Sequence, residues 1–453
     1  MSDSGPPAAL VSVLVRLRER LADSPLPFAF ADGGADDGAV ADGGAPEPGR
    51  LIRQLDDYLM PRLLQMDAPL LAVVAGPTGA GKSTLVNALV GSDVSEAGFL
   101  RPTTRSPVLV HHPDDAQWFG RDRLLPELAR AGEHAGDDGA CRLVASAHLP
   151  AGLALLDSPD VNSVEQRNRE LASQLGAAAD LWVFVTSAAR YADQVPWRVL
   201  EASVERGMTV AVVLDRTQPG VLREVSSHLA RMLTARGLGD APVFSVPESP
   251  PDDGRLSPDA VGPIRTWLDG LAADPEARAA VVRQTLGGAL RSLGRSVRRL
   301  SAFLADQQQT TDQLRDEVEQ AYSAGREAVA QAIGGAAQWP ETEAGLQTLI
   351  IEEAAAAADR AAHAWQSSPA GAWLLEQAPT DIAHGSPDLK NQVARAVRDG
   401  HGDLASAAEA VFVAEQRRFL DLLEPHAVPA KVHRQLLELS RDLDDARWPE
   451  ATA

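Results

Sequence analysis

The pattern of apolar and polar positions separates an alternating region of the chain from helical ones. Between residues 67 and 272, short apolar runs alternate with longer stretches of helical spacing. The apolar runs predict strands at Leu70–Ala75, Val108–His112, Leu153–Leu156, Leu181–Val185, Thr209–Leu214 and Val243–Val246. The stretches between them predict helices at Val164–Leu175, Pro196–Arg206 and Val221–Arg236. Apolar strands that alternate with helices indicate an α/β fold with a doubly wound, mostly parallel sheet.

The rest of the chain is predicted to be helical apart from one linker. Amphipathic helices are expected at residues 7–24 and 49–66, and Pro61 is expected to kink the second. Residues 31–48 are mostly Gly, Ala, Asp and Pro, a composition typical of a flexible acidic linker. Beyond residue 274, helical patterns predict an α-helical bundle with members at 276–335, 341–366, 386–424 and 428–446.

These patterns divide the chain into four regions. They are an N-terminal helix with its acidic linker (1–48), a helix that leads onward (49–66), an α/β domain (67–272) and an α-helical bundle (273–453). Ligands of a doubly wound sheet bind at the carboxyl ends of its strands. The loops that follow the predicted strands are therefore where binding residues are expected.

The composition of the chain indicates which binding partners and which cellular compartment are expected. The 453 residues carry a net charge of −21, which argues against a general nucleic-acid-binding surface or a broad face for anionic lipids. The single cysteine, Cys141, leaves no intramolecular disulfide and fits a reducing cytoplasm. The N-terminus lacks the features of a signal peptide, and no apolar run reaches the roughly 18 residues of a membrane-spanning helix. We expect a cytoplasmic protein without nucleic-acid partners, for which peripheral contact with the inner face of the cell membrane stays open.

One nine-residue run, GPTGAGKST, lies between a predicted strand and a predicted helix. Its members are Gly76, Pro77, Thr78, Gly79, Ala80, Gly81, Lys82, Ser83 and Thr84. The run fits the pattern G-x-x-x-x-G-K-[ST], whose glycines let backbone N–H groups turn inward around a phosphate chain. Lys82 has the reach to bridge the β- and γ-phosphates, and Ser83 offers a hydroxyl to Mg²⁺. The run therefore predicts nucleotide binding with Mg²⁺ as the cofactor.

Polar residues also follow other predicted strands. The third predicted strand ends in LLDSPDVNS, which places Asp157 where a Walker-B type aspartate holds a Mg²⁺-bound water. The fifth strand ends in Asp215-Arg216-Thr217-Gln218, and the sixth carries Ser245 in the run PVFSVPE. The segment LRPTTRSPVLV leads into the second strand. All four segments are candidates for contact with a nucleotide.

In this order the segments resemble GTPases of the translation-factor-related class, and within it the bacterial dynamin-like proteins. The residues that carry the resemblance are GPTGAGKSTLVNALVG, RPTTRSPVLV at the position of switch I, and LLDSPDVNS at the position of switch II. The resemblance covers about residues 67–250 specifically, and the helical remainder only in architecture, as a neck and stalk. It implies that residues 67–272 form a P-loop GTPase domain.

The resemblance also implies roles for individual residues at the phosphates. Lys82 would contact the phosphates, and Ser83 and Thr104 would bind Mg²⁺, with Thr103 as the alternative to Thr104. Asp157 would hold the ion through a water molecule. Lys82, Thr104 and Asp157 are therefore the candidate catalytic residues.

Near the base the sequence departs from the family pattern. GTPases of this class usually carry [NT]-K-x-D, in which the aspartate reads guanine. Here Asp215 and Arg216 would lie near the base, Arg216 would replace the lysine by stacking, and Gln218 stands at the aspartate position. Ser245 falls where a base-contacting loop is usual. Guanine and adenine selectivity both remain open.

Two further departures concern hydrolysis. Asp160 occupies the position of the usual switch II glycine, so either its backbone N–H still serves the γ-phosphate or this switch is built differently. Dynamins carry a glutamine at the position of Thr78, and no glutamine replaces it in the switch II segment, although Gln166 lies downstream. Hydrolysis is therefore expected to be slow for the isolated chain and to need dimerisation across the nucleotide face.

These inferences predict a dynamin-like GTPase that binds GTP and GDP. It would use GTP hydrolysis to move its switch loops and helical domain, and it would assemble with itself or with a related dynamin-like chain at or near a membrane. Two alternatives stay open: a cytoplasmic nucleotide-dependent switch with little hydrolysis, and an ATPase. The segment WQSSPAGAWLLEQAP at residues 365–379 is either an apolar membrane tip or part of the interior of the bundle.

Overall fold

In the computed structural model the longer described stretches are residues 8–24, 47–95, 106–120, 140–160, 178–192, 207–218, 222–248, 256–334, 404–429 and 431–445. Shorter described pieces are 123–124, 130, 171–172, 175–176, 197, 200–201, 220, 348, 352, 356, 360, 363, 371–372 and 374. No helix among these residues is long and apolar enough to cross a membrane.

Seven strands form one sheet in the order β3-β2-β4-β1-β5-β6-β7. Their bounds are Leu70–Ala75 (β1), Val108–His111 (β2), Arg142–Ala145 (β3), Leu153–Asp157 (β4), Leu181–Ser187 (β5), Thr209–Thr217 (β6) and Val243–Pro247 (β7). Neighbouring strands pair in parallel, except that β2 runs antiparallel to β4. The predicted α/β fold with a mostly parallel sheet is confirmed.

Six of the seven strands coincide with predicted ones to within three residues at either end. The sequence did not predict β3, an edge strand in which Arg142, Leu143 and Ala145 are exposed. An edge strand without an apolar face lacks the burial signal that reveals the others. By contrast, every residue of β1, β4 and β5 is buried.

Helices flank this sheet in sequence and continue beyond it. Their bounds are Ala8–Ala22, Pro48–Gln54, Met60–Leu64, Lys82–Val90, Leu222–Ala235, Pro258–Ala273, Pro275–Gly334, Leu404–Leu423 and Val432–Asp445. Short 3₁₀ turns occupy Pro113–Phe119 and Glu424–His426. The predicted helices at 164–175, 196–206 and 341–366 lie largely outside the described residues.

The predicted kink at Pro61 takes the form of one wide helical turn. Residues Leu55–Leu59 are π-helical, and the N–H of Met60 bonds to the carbonyl of Leu55, five residues earlier. Pro61 comes next and has no N–H to give to the carbonyl of Asp57. A wide turn before a proline absorbs the lost hydrogen bond without ending the helix.

The chain divides into two compact units. The first consists of residues 1–22, 35–297 and 438–453, and the second of residues 23–34 and 298–437. The second unit buries Leu300, Leu304, Leu314 and Val318 from the helix Pro275–Gly334. Within that unit the Ser301 hydroxyl donates to the carbonyl of His433 at 2.6 Å. Leu374, from the segment predicted as either a membrane tip or a bundle interior, is buried at 2 % exposure.

A buried ion pair ties the helix Met60–Leu64 to the amino-terminal edge of the sheet in the first unit. Arg62 Nε lies 2.9 Å from Asp180 Oδ1, and both side chains are 1 % exposed. Asp180 Oδ2 accepts the N–H of Leu71 at 2.9 Å, and Tyr58 donates its hydroxyl to Oδ1 at 3.3 Å. The Thr285 hydroxyl donates to the Asp180 carbonyl. These contacts fix the start of β1, whose other end carries the glycine-rich loop.

Candidate nucleotide-binding site

The glycine-rich loop lies at the carboxyl ends of β1, β5 and β6. A side chain at Gly76 would collide with the carbonyl of Val185 on β5, and one at Gly81 would collide with the Asp215 carboxylate on β6. Gly81 also has a φ of 96°, which disfavours any residue with a side chain. The two glycines therefore let the loop pack closely against the ends of β5 and β6.

Lys82 begins the helix that follows the loop, and its side chain folds back over the loop. Its Nζ donates to the carbonyls of Gly76 at 3.1 Å and Pro77 at 3.3 Å, and also to the carboxylate of Asp160. The side chain is almost entirely buried. The ammonium group therefore lies within the loop, where the phosphate chain of a nucleotide is predicted to bind.

Asp160 does not turn away from this site. Its carboxylate pairs with Lys82, and its side chain is 13 % exposed. The structure places this carboxylate on the cation that a γ-phosphate would need. A bound triphosphate must therefore displace Asp160 from Lys82 or share the lysine with it.

Asp157 ends β4 beside the first helical turn after the loop. Its Oδ2 accepts the hydroxyl of Ser83 at 2.6 Å and also the hydroxyl of Ser95. Its Oδ1 is buried and has no hydrogen-bond partner among the described residues. Burial raises the pKa of Asp157, while the hydrogen bonds from Ser83 and Ser95 and the charge of Lys82 oppose the shift.

The residues around Asp157 fit a bound Mg²⁺. This ion prefers oxygen ligands, and it is usually held by one or two carboxylates together with water and substrate phosphates. A buried carboxylate oxygen without a partner, beside a serine hydroxyl, supplies ligands of that kind. Thr103 and Thr104, the other predicted metal-binding candidates, lie outside the described residues.

Ser95 was not among the predicted site residues. It is held by Asn87, which lies on the helix Lys82–Val90 and donates its side-chain amide to the Ser95 carbonyl at 2.8 Å. The Asn87 side-chain oxygen in turn accepts the N–H groups of Val94 and Ser95. An asparagine among the apolar residues 85–90 was the available sequence signal for this loop, whereas Ser95 itself stands in no motif.

The Asp215-Arg216 pair packs against the loop as well. Arg216 has a φ of 52°, a strained value for a residue with a long side chain, and it lies where the pairing of β6 with β7 shifts register. Its guanidinium donates to the Gly79 carbonyl at 2.7 Å and contacts Asp215 at 3.3 Å. Burial raises the pKa of Asp215, and the charge of Arg216 opposes this shift. The strained backbone at this irregularity of β6 thus directs Arg216 back over the loop.

Ser245 lies within a strand and not in a loop. It pairs with Leu214 in the middle of β7, which continues to Pro247. The strand extends past the end that its apolar pattern predicts, because pairing with β6 continues to Thr217. Gln218, at the position of the usual guanine-reading aspartate, is exposed. The role of Ser245 at the base stays a prediction.

A second residue that the sequence did not single out, Arg190, reaches the loop from the turn after β5. Its Nη1 donates to the carbonyl of Thr78 at 3.0 Å. Thr78 is the position at which the resemblance predicts a glutamine in dynamins. Gln166, the downstream glutamine, lies outside the described residues.

These features define a class of protein. A glycine-rich loop joins a central parallel strand to a helix that begins with a buried lysine, and a buried aspartate ends the neighbouring strand. This arrangement is that of a P-loop nucleoside-triphosphate-binding domain.

The comparisons with known proteins narrow this class to GTPases. Residues 71–215 match the family described as 50S ribosome-binding GTPase. A probable transmembrane GTPase, FZO-like and chloroplastic, from Arabidopsis thaliana is 29% identical over 132 residues, which are 29% of this chain and 13% of that protein. The chain thus spans about an eighth of the length of this curated relative. The prediction of a P-loop GTPase is confirmed.

Among solved structures, a bacterial dynamin pair aligns with 97% of this chain and 77% of its own, at 10% identity and a TM-score of 0.35. The GTPase Era of Aquifex aeolicus aligns with 45% of this chain and 57% of its own, at 18% identity and a TM-score of 0.30. Toc33 of Arabidopsis thaliana, in complex with GDP and Mg²⁺, aligns with 52% of this chain and 93% of its own, at 15% identity and a TM-score of 0.30.

Proposed function

We propose that this protein is a dynamin-like GTPase that binds and hydrolyses GTP with Mg²⁺. Hydrolysis would rearrange its switch segments and helical region, and the protein would assemble with itself or with a related chain. The main support for this proposal is the cluster of Lys82, Ser83 and Asp157 at the glycine-rich loop, in a region of the chain that matches a GTPase family. Assembly and the dynamin-like subclass rest on the sequence resemblance and on the long helical region.

Different side chains of the site would stabilise the phosphates and hold the metal ion. Lys82 would leave Asp160 and neutralise charge on the β- and γ-phosphates, while the loop N–H groups surround the same oxygens. Ser83 and Asp157 would hold Mg²⁺, which withdraws charge from the phosphate oxygens when it is bound. Thr104 is the proposed residue that orders the switch I segment when a γ-phosphate is present. Loss of that phosphate would release both switch segments.

The second candidate function is an ATPase, because of one observation at the base end of the site. Gln218 is exposed and carries no charge, whereas the aspartate it replaces would accept two hydrogen bonds from guanine. The third candidate is a nucleotide-dependent switch with little hydrolysis, because the Asp160 carboxylate pairs with Lys82 and would compete with a γ-phosphate for it. For either candidate Lys82 remains the residue on which binding depends.

Calorimetric titration with GTP, GDP and ATP analogues in the presence of Mg²⁺ tests the proposal. The wild-type protein is compared with Lys82→Ala, which removes the cation at the phosphates. We expect the wild type to prefer guanine nucleotides and Lys82→Ala to lose binding by at least about 10-fold, since a charge-assisted hydrogen bond contributes about 1.5–3 kcal/mol. A preference for adenine would replace the GTPase by the ATPase, and full GTP hydrolysis by Lys82→Ala would refute the proposed mechanism.

We propose a cytoplasmic location with peripheral contact at the inner face of the cell membrane. The proposal rests on the sequence alone. Co-sedimentation with vesicles, with and without a GTP analogue, separates a GTPase that acts at membranes from a switch that acts in solution. Nucleotide-dependent sedimentation of the wild type that Lys82→Ala lacks supports the membrane role, and equal recovery in the supernatant under both conditions contradicts it.

A further inference from the structure

We propose that Arg190 is a catalytic arginine that each chain supplies to its own nucleotide site. This inference rests on the proposed GTPase function and deepens it. Arg190 would contact the β- and γ-phosphates and take over the charge stabilisation for which the glycine-rich loop offers no side chain beyond Lys82.

The first observation is the position of Arg190 relative to the lysine. The ammonium group of Lys82 donates hydrogen bonds to the carbonyls of Gly76 and Pro77. The guanidinium group of Arg190 donates to the carbonyl of Thr78, which is the next one along the loop. The two cationic side chains therefore bind three consecutive carbonyl groups of the phosphate-binding loop. Because Lys82 bridges the β- and γ-phosphates, the group on the adjacent carbonyl is near the same end of the phosphate chain.

The second observation is that the turn holding Arg190 is well fixed. The carbonyl of Ser187, the last residue of β5, accepts the N–H groups of both Arg190 and Tyr191 at 2.9 Å. The Tyr191 hydroxyl lies 2.9 Å from Nδ1 of His228, and the Tyr191 carbonyl accepts the Trp197 ring N–H. A turn anchored on both sides holds a catalytic group in position at little entropic cost.

The third observation is that Arg190 has no acidic partner among the described residues, unlike the other two cations on the loop. Lys82 pairs with Asp160, and Arg216 contacts Asp215. Within the part of the chain that the structure describes, the Arg190 side chain donates to the Thr78 carbonyl, and it is half-buried. Its remaining N–H groups are therefore available to an anion, and a guanidinium presents five donors in a fork that matches phosphate oxygens.

The chemistry needs only charge stabilisation from Arg190. Water attacks the γ-phosphorus, the bond between that phosphorus and the β–γ bridging oxygen breaks, and the electron pair remains on GDP. The proton of the water ends on the released phosphate. Negative charge grows on the bridging oxygen as the bond breaks, and Arg190 would donate hydrogen bonds to it without giving up a proton.

The test compares Arg190→Ala and Arg190→Lys with wild type, with Lys82→Ala, and with Arg223→Ala as the matched control. Arg223 is an exposed arginine on the helix Leu222–Ala235, away from the described residues that contact the glycine-rich loop. The measurements are kcat for GTP and the affinities for GDP, a non-hydrolysable GTP analogue and GDP with aluminium fluoride. The last of these is a probe of the transition state.

We expect Arg190→Ala to lower kcat by about 100-fold or more, because arginines of this kind contribute about 10³–10⁵-fold. Its GDP affinity should change by less than about 3-fold, whereas aluminium fluoride should no longer tighten GDP binding. Arg190→Lys should recover only part of kcat, since lysine keeps the charge and loses the fork. Arg223→Ala should match wild type throughout.

Equal losses of GDP and aluminium fluoride binding with kcat unchanged would mean that Arg190 only shapes the loop, which overturns the inference. Mixing Arg190→Ala with Lys82→Ala tests whether the arginine acts across a dimer, and recovery of activity in the mixture would also overturn it. One outcome would refute the role of Arg190 and leave the proposed GTPase function intact. In that outcome wild type and Arg190→Ala both hydrolyse GTP at full rate, whereas Lys82→Ala does not. If wild type does not hydrolyse GTP, the proposed function fails as well.

Discussion

At the scale of single residues, the site is dominated by carboxylates that lie where a nucleotide and its metal would bind. Asp160 pairs with Lys82, and Asp157 ends β4 with one buried oxygen that has no partner among the described residues. Burial raises the pKa of Asp157, and it does the same for Asp215 beneath the loop. Burial of these two carboxylates in their charged form therefore costs stability.

The first prediction concerns Asp160. Asp160→Asn keeps the size of the side chain and removes the charge that competes with a γ-phosphate for Lys82. We expect GTP affinity to rise by about 10-fold, in line with a charge-assisted hydrogen bond of about 1.5–3 kcal/mol. GDP affinity should rise less, because GDP lacks the γ-phosphate. Calorimetry measures both, with the exposed Asp240→Asn as the control; weaker GTP binding by Asp160→Asn would contradict the competition.

The second prediction concerns pH. Because burial raises the pKa of Asp157, the folded chain holds this proton at a higher pH than the unfolded chain, whose carboxyl titrates near about 3.9. Between these two pKa values the folded state binds more protons, so stability falls as pH rises through the folded pKa. Without nucleotide or Mg²⁺, the melting temperature should therefore rise as the pH is lowered through the raised pKa of the folded state.

The variant Asp157→Asn should show a shallower pH dependence of melting, because asparagine does not titrate. Some slope should remain, since the pKa of Asp215 is raised as well. Thermal unfolding followed by tryptophan fluorescence between pH 5 and pH 8 measures the slopes, and Asp240→Asn should behave as wild type. An unchanged slope in Asp157→Asn would show that this carboxyl does not govern the effect.

At the scale of secondary-structure elements, buried polar contacts hold the helices of the first unit against its sheet. Asp180→Ala would leave Arg62 without its carboxylate at 1 % exposure, and the Leu71 N–H without its acceptor. We expect a loss of about 3–5 kcal/mol in the free energy of unfolding. The exposed pair Arg18–Asp56, at 48 % and 27 % exposure, is the contrast, and Arg18→Ala should cost less than about 1 kcal/mol.

Urea denaturation followed by tryptophan fluorescence includes a signal from this unit, because Trp182 on β5 is buried within it. Similar losses in Asp180→Ala and Arg18→Ala would mean that burial of the Arg62–Asp180 pair adds nothing.

A fourth prediction separates backbone strain from collision at two glycines. Gly207 and Gly91 have similar positive φ values of 69° and 74°. A side chain at Gly207 would press against the backbone of Gly288 at 2.7 Å, whereas one at Gly91 would meet nothing within 4 Å. Both alanine variants should lose about 1–2 kcal/mol to strain, and Gly207→Ala should lose about 1–3 kcal/mol more from overpacking. Equal unfolding free energies would exclude the close approach.

At the scale of the whole molecule, the net charge of −21 opposes association of identical chains. If GTP drives self-assembly as proposed, raising ionic strength from about 0.05 M to about 0.3 M should favour assembly, because the screening length falls below about 10 Å. Sedimentation velocity with a GTP analogue measures the assembled fraction, and Lys82→Ala should remain unassembled at both salt concentrations. Assembly of wild type that decreases with salt would point to attractive charge contacts between chains.

The nucleotide-binding motif and the buried strands could be predicted from the sequence because their physics is local. A phosphate-binding loop needs glycines, a lysine and a hydroxyl at fixed spacing, and a buried parallel strand needs a continuous apolar run. The edge strand Arg142–Ala145 and the π-helical turn before Pro61 carry no such complete signal.

The sequence by itself determined the class of fold, the loop that receives phosphates, and the aspartate at the end of the neighbouring strand. Only the tertiary structure decided which distant residues meet that loop. Asp160 pairs with Lys82 across 78 positions of sequence, and Arg190 reaches Thr78 across 112. Such contacts depend on where parallel strands end in space, and strand order is a property of the folded sheet that local spacing does not encode.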